Sequence, residues 1–217
     1  MNARALVIGS ALGFAASAFA LSRSAVAERP AADARVPYYD TRDFTPRWSP
    51  VSHRVASFSF IDQNDRIFGD RDLEGKIHVA SFIFTSCPAI CPTLVGRLKP
   101  VQDAMRGAKD VTMVSFSVTP MTDTPSVLAE FGALRGIDPS VWHLLTGDPR
   151  EIERVMKDSY FANDDRTLGD PGGDRLLHSE KVLLVDRDRR LRGIYNGTSA
   201  FEMERLIEDI DTLRKEK

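Results

Sequence analysis

The sequence predicts an α/β layered domain with a mixed central sheet flanked by helices. Three observations predict it. Short apolar runs of strand length recur at Val79–Phe84, Val111–Val118, Val141–Leu145 and Lys181–Val185. Helix signals follow each of the first three. The only two cysteines, Cys87 and Cys91, fall at the first of these strand-to-helix junctions.

Composition agrees with a packed domain. The chain has 217 residues, 42% apolar and 28% charged. Its formal net charge is −2 and no basic stretch stands out, so no nucleic-acid partner is expected.

Residues 1–27 carry Arg4 and Arg23 and no acids. An apolar run from Ala5 to Leu21 precedes Ala25-Val26-Ala27, a small-x-small cleavage site. The segment is read as a signal peptide, with an uncleaved membrane anchor as the alternative. Either places the folded part outside the cytoplasm, periplasmic or exported. Two close cysteines in an oxidising compartment then need a reason.

Residues 28–50 form an N-terminal arm, and 51–217 the domain. Tyr38-Tyr39 and Phe44-Thr45-Pro46-Arg47-Trp48 are read as packing the arm onto the domain. Phe58–Asp62 and Arg66–Phe68 alternate around a polar turn, which predicts a hairpin. Asp72–Lys76 is a turn into the first central strand, Val79–Phe84, whose unbroken apolar run predicts burial on both faces.

Pro92 suits the first turn of the next helix, where its missing N–H costs nothing. It disfavours helical dihedrals at Cys91. Cys91 is therefore expected at or just before the helix start, with Cys87 in the loop above. Both sulfurs would feel the positive end of the helix dipole, which favours thiolate. That helix should reach about Ala108, with a kink or break at Pro100.

The strand Val111–Val118 ends at Thr119-Pro120. Thr124 is an N-cap with Pro125 at the first helical position, and Gly136 closes that helix. Val141–Leu145 is a strand, and Pro149 starts a helix through Lys157. Residues 158–177, with several Asp and Gly, read as a loop leading to His178. Lys181–Val185 and Leu191–Tyr195 pair as a second hairpin. Ser199-x-x-Glu202 is a capping box for a last helix running towards Leu213. Asn196-Gly197-Thr198 fits a glycosylation acceptor but reads more simply as a turn. A leading hairpin, then β-α-β-α-β-α, then β-β-α, with paired cysteines at the first junction, is the thioredoxin arrangement.

The cysteine spacing, Cys-x-x-x-Cys, permits a disulfide or a soft-metal site. Thiolates select Cu(I), Zn or iron–sulfur clusters. As a mere structural staple the pair is weak, because closing so short a loop removes little chain entropy. A metal would need a third ligand. Among the four histidines, His78 and His143 fall in strands and read as structural, and His53 reads as a surface residue. His178 begins a strand after a loop, where a sheet could bring it to the cysteine end.

Thr85-Ser86-Cys87-Pro88-Ala89-Ile90-Cys91-Pro92 resembles the signature of the Sco/SenC family of copper chaperones. The resemblance extends over roughly residues 36–212. Phe58–Asn64, Asp72–Lys76, Ser117–Pro120 with Asp123-Thr124-Pro125, Trp142 with Leu145–Asp148, and His178-Ser179-Glu180 before Val182–Asp186 are similar to the family's ordered motifs. The arm motifs resemble one bacterial branch.

The resemblance implies a thioredoxin-like domain with Cys87, Cys91 and His178 as copper ligands. The metal would be Cu(I), with Cu(II) left open. It implies delivery of copper to the copper-bearing subunit of cytochrome c oxidase or to another chaperone. The alternative is a thiol–disulfide oxidoreductase in which Cys87 attacks a partner disulfide and Cys91 resolves it. A peroxidase is a third reading. Whether the chain is an enzyme is left open, with a metallochaperone preferred. The chain departs from the family at Thr119 and Leu177, where many members carry aspartate. That leaves the ligands intact but puts in doubt the redox tuning and any carboxylate that would support the ligands from those two positions.

Overall fold

The computed structural model describes residues 35–87, 90–162 and 180–216. His178, Leu177, the N-terminal segment expected to be a signal or anchor, and the first residues of the arm lie outside these.

Seven strands form one mixed sheet. They are β1 (Ser59–Asp62), β2 (Ile67–Gly69), β3 (Ile77–Ile83), β4 (Val111–Ser117), β5 (Trp142–Thr146), β6 (Lys181–Val185) and β7 (Leu191–Asn196). The spatial order is β2-β1-β5-β4-β3-β6-β7. β3, β4 and β5 run parallel, while β1, β6 and β7 pair antiparallel. Every residue of β3 and β4 is buried, as unbroken apolar runs require when helices cover both faces. This is the thioredoxin-like α/β arrangement that the chain order predicts.

Alternation along the strands splits the core in two. Ile77, Val79 and Ile83 of β3 pack with α1 (Ile90–Met105), α2 (Pro125–Leu134) and α4 (Ala200–Lys215). Ala80 and Phe82 face the other way, onto the hairpin and α3 (Pro149–Arg154) with the π-helical turn Val155–Ser159 that continues it. Phe58, Phe60, Phe82 and Phe116 pack ring against ring in that second core, with centroids 5.3–5.8 Å apart.

The capping signals are realised. Thr124 caps α2, its hydroxyl accepting from the Val127 amide at 3.4 Å. Ser199 caps α4 by accepting from Glu202 at 3.3 Å. Gly136 ends α2 with φ +65°, a conformation costly for any residue with a Cβ. Two helices depart from expectation. The π-helical turn replaces the last α-turn expected before Lys157. And α1 continues through Pro100 without a break. Four residues upstream is the exposed Gly96, whose carbonyl loses its helical donor because Pro100 has no N–H.

The described part of the arm lies along the outer strand. Tyr39 bridges Leu191, and Tyr38 pairs with Arg47. Arg192, 3% exposed, donates to the Val36 and Pro37 carbonyls at 2.6 and 3.2 Å and stacks on the Tyr38 ring at 4.0 Å. Its charge is met by Asp186 at 3.2 Å and Glu216 at 2.8 Å. Tyr38, Tyr39 and Phe44 are thus packing residues, whereas Trp48 is 52% exposed and does not fit that expectation.

Candidate metal centre at the first strand-to-helix junction

β3 delivers the chain to Phe84, where hydrogen bonding turns it: the Cys87 amide donates to the Phe84 carbonyl at 3.3 Å. Helix α1 then starts at Ile90, so Cys91 occupies its first turn rather than preceding it. A proline at the third helical position lacks only an N–H that had no intrahelical partner, which lets the helix begin earlier than the pre-proline bias suggests. The i, i+4 spacing across this turn brings the cysteines together. The Cys91 amide donates to the Cys87 sulfur at 3.3 Å. The pair is a dithiol, with Cys87 6% and Cys91 2% exposed.

The electrostatics differ from the dipole argument. Burial pushes the Cys91 thiol up to about 12. The Cys87 thiol beside it also raises it, while a hydrogen bond from the Phe84 backbone and the Arg135 guanidinium pull the other way. A helix terminus contributes about 0.3–1 kcal/mol. Removing a thiolate from water costs more than that, so Cys91 is a neutral thiol at neutral pH.

A carboxylate fixes the loop. Asp123, with 0% exposure, accepts from the Thr85 hydroxyl at 2.6 Å and the Thr85 amide at 3.2 Å. It also accepts from the Ser117 hydroxyl at 2.6 Å and the Thr119 hydroxyl at 3.0 Å. Sequence reasoning places Asp123 in a motif and gives it no role. Its signal was an acidic residue just before the Thr124-Pro125 helix start, with three hydroxyl residues at the ends of the neighbouring strands.

The described histidines do not serve the cysteines. His78 is fully buried near the start of β3, five residues or about 17 Å before the strand ends. Its Nε2 meets the Tyr160 hydroxyl at 3.0 Å. His143 lies against Asp62, with Nδ1 to Oδ2 at 3.4 Å, and burial holds its pKa down. His53 is partly buried rather than a surface residue. Its Nε2 lies 2.9 Å from the Ser159 carbonyl oxygen, and its ring stacks on Phe161 at 4.4 Å. Among the described residues no three His, Cys, Asp or Glu side chains form a metal cluster. Among the described residues the junction brings together two sulfurs and no third candidate metal ligand.

The described residue nearest His178 in the chain is Glu180. The antiparallel register, Ala80 opposite Leu183 and His78 opposite Val185, runs β6 so that its start lies beside the end of β3. The Glu180 carbonyl accepts from the Gly197 amide at 2.7 Å. At Gly197 a Cβ would overlap Leu94 of α1 and fall 3.0 Å from that same carbonyl oxygen. The Glu180 carbonyl therefore lies near the side chain of Leu94, which follows Cys91 by less than one turn of α1.

A family model described as SCO1/SenC matches residues 49–215. Among solved structures, a SCO1/SenC family lipoprotein from Bacillus anthracis str. Ames is 32% identical with a TM-score of 0.66, covering 77% of this chain and 99% of its own. BsSco, a member of the Sco family of cytochrome c oxidase assembly proteins with a disulfide switch, is 30% identical with a TM-score of 0.66, covering 78% and 98%. ScoI of Bradyrhizobium japonicum, solved with copper bound, is 28% identical with a TM-score of 0.59, covering 74% and 99%.

Proposed function

This chain belongs to the SCO1/SenC family, and on that premise we propose that it is an exported copper chaperone carrying its cargo on Cys87, Cys91 and His178. One observation carries the reading: two buried cysteines, joined by a hydrogen bond of 3.3 Å from the Cys91 amide to the Cys87 sulfur, lie together at a strand-to-helix junction. Two adjacent thiols match the preference of Cu(I) for soft ligands. Copper is cargo here, taken up with loss of thiol protons and passed on by ligand exchange.

The chain's own residues have distinct parts. The Cys91 amide points a donor at the Cys87 sulfur and so favours charge there. The Phe84 backbone does the same for Cys91. His178 would supply the third ligand. The position of Glu180 beside Leu94 supports this, because only Ser179 separates it from His178. The copper-bound relative and the oxidase-assembly relative support a recipient in cytochrome c oxidase assembly, its copper-bearing subunit or another chaperone. The N-terminal segment and the lipoprotein relative support an exported, membrane-associated location.

Thiol–disulfide exchange is the second reading, favoured by the same close approach of the sulfurs. Cys87 thiolate would attack a partner disulfide and release one partner thiol. Cys91 would then displace the second, so that two electrons pass to the partner. The Cys91 thiol pushed up to about 12 is a poor resolving nucleophile at neutral pH. A metal ion displaces the proton by its own binding energy, which favours copper carriage.

Titration of the reduced, full chain with Cu(I) against a competing chelator tests the reading. One copper per chain is expected for wild type, with tight binding lost in Cys87→Ala and Cys91→Ala and weakened at least tenfold in His178→Ala. Copper retention equal in wild type and both cysteine variants would overturn it.

A further inference from the structure

Asp123 is a fully buried carboxylate, and among the described residues no cation pairs with it. Burying an uncompensated charge is expensive unless hydrogen bonds replace the lost water. Four donors do so here: the Thr85 amide and the Thr85, Ser117 and Thr119 hydroxyls, at 2.6–3.2 Å. One donor would suffice to close a turn, and the helix that follows is capped by Thr124 instead. The arrangement therefore does more than start α2.

The donors come from two loops. Thr85 precedes Cys87 by two residues, and gives the carboxylate both its amide and its hydroxyl. Ser117 ends β4, Thr119 follows it by two residues, and the next turn is closed by the Thr122 and Asp123 amides, each donating to the Thr119 carbonyl at 3.0 Å. Hydrogen bonds to a charged acceptor are about twice as strong as neutral ones. The backbone before Cys87 cannot move without breaking two of them.

We propose that Asp123 is the positioning residue of the dithiol: by clamping Thr85 to the end of β4 it sets where the Cys87 sulfur stands relative to Cys91. It touches neither sulfur and acts through Thr85. Its consequence for copper rests on the function proposed above. Its consequence for the dithiol itself does not, because holding the sulfurs close also favours their joining. In that step two thiols lose two protons and two electrons to glutathione disulfide, giving a protein disulfide and two glutathione molecules.

The test compares wild type with Asp123→Ala, Asp123→Asn and Thr85→Val. Tyr195→Phe, which loses the buried bond to Asp209 at 2.7 Å, serves as a stability control remote from the cysteines. Two readouts are taken on the full chain: Cu(I) competition with a chelator, and the dithiol–disulfide equilibrium in glutathione buffers. Asp123→Ala should weaken Cu(I) binding at least tenfold and move the glutathione equilibrium at least threefold toward the dithiol. Thr85→Val keeps the amide bond and should move both by less, in the same direction, which gives a result even if the alanine variant does not fold. Asp123→Asn should restore both to within about twofold, since its amide oxygen can take the Oδ2 donors and its NH2 can face the Thr85 hydroxyl. Tyr195→Phe should lower the melting temperature and leave both readouts unchanged.

Wild-type values in Thr85→Val and Asp123→Ala would overturn the proposal, and so would an Asn variant as impaired as Ala, which would assign the effect to charge. If wild type binds no copper while the glutathione equilibrium shifts as described, the copper reading fails and the positioning role stands.

Discussion

The amide of Cys91 points at the sulfur of Cys87 across 3.3 Å, and this one contact joins helix geometry to sulfur chemistry. It joins the loop residue Cys87 to Cys91 in the first turn of the helix that begins at Ile90. Both sulfurs receive a backbone donor, Cys87 from the Cys91 amide and Cys91 from the Phe84 backbone, yet burial pushes the Cys91 thiol up to about 12 and makes it the less reactive of the two.

The inequality predicts ordered alkylation. Raising a thiol from 9.0 to about 12 lowers its thiolate fraction roughly 1,000-fold below pH 9. Iodoacetamide at pH 8, followed by peptide mass analysis, should modify Cys87 at least tenfold faster than Cys91 in the native dithiol. Urea should abolish the difference. Equal native rates would remove the inequality.

Acid stability should depend on His78. Burial lowers its folded pKa to about 3, below the unfolded value of 6.5. The unfolded chain binds that proton first, so stability is lost as pH falls from 6.5 toward 3. One such group contributes a slope of about 1.4 kcal/mol per pH unit in that window. Urea unfolding between pH 4 and 6 should show this slope reduced by that amount in His78→Phe relative to wild type. An unchanged slope would show that His78 is protonated or accessible in the native state.

The packing of Gly197 against Leu94 and the Glu180 carbonyl leaves no room for a methyl group. Gly197→Ala should destabilise the domain by about 1–3 kcal/mol, typical of overpacking. Because the strain falls on the start of β6 and the first turns of α1, copper affinity should fall with it. Leu94→Ala in the same chain should recover part of both, measured by urea unfolding and chelator competition.

Arg192 anchors the arm through the Val36 and Pro37 carbonyls and pairs with Asp186 and Glu216. Arg192→Ala leaves those carboxylates without their cation, and should cost about 3–5 kcal/mol. Limited proteolysis should then cut before Tyr39 well ahead of the domain. Arm cleavage at the wild-type rate would contradict the anchoring role.

Much of the fold was legible in the sequence because the signals were local. Strand runs such as Val111–Val118, the Thr124-Pro125 start and the Ser199–Glu202 box each need only a few neighbouring residues. What was misread depended on context beyond that range. Pro100 allows a kink or a break from sequence alone, and only the neighbouring turns decide that the helix runs on through it. The dipole argument for Cys91 ignored how deeply the first turn is buried. Asp123 was invisible as a clamp because Thr85 is 38 residues away. At the candidate site, the cysteine pair follows from strand, loop and proline, and the described residues place both sulfurs together. His178 lies outside the described residues, and its part rests on chain continuity with Glu180 and on the family motif.

X-ray absorption at the copper edge of the Cu(I)-loaded full chain tests the central claim most directly. Two sulfur ligands and one imidazole nitrogen are expected in wild type, with the imidazole signal lost in His178→Ala and both sulfurs retained. A copper shell without two sulfurs, or one unchanged by His178→Ala, would contradict the account.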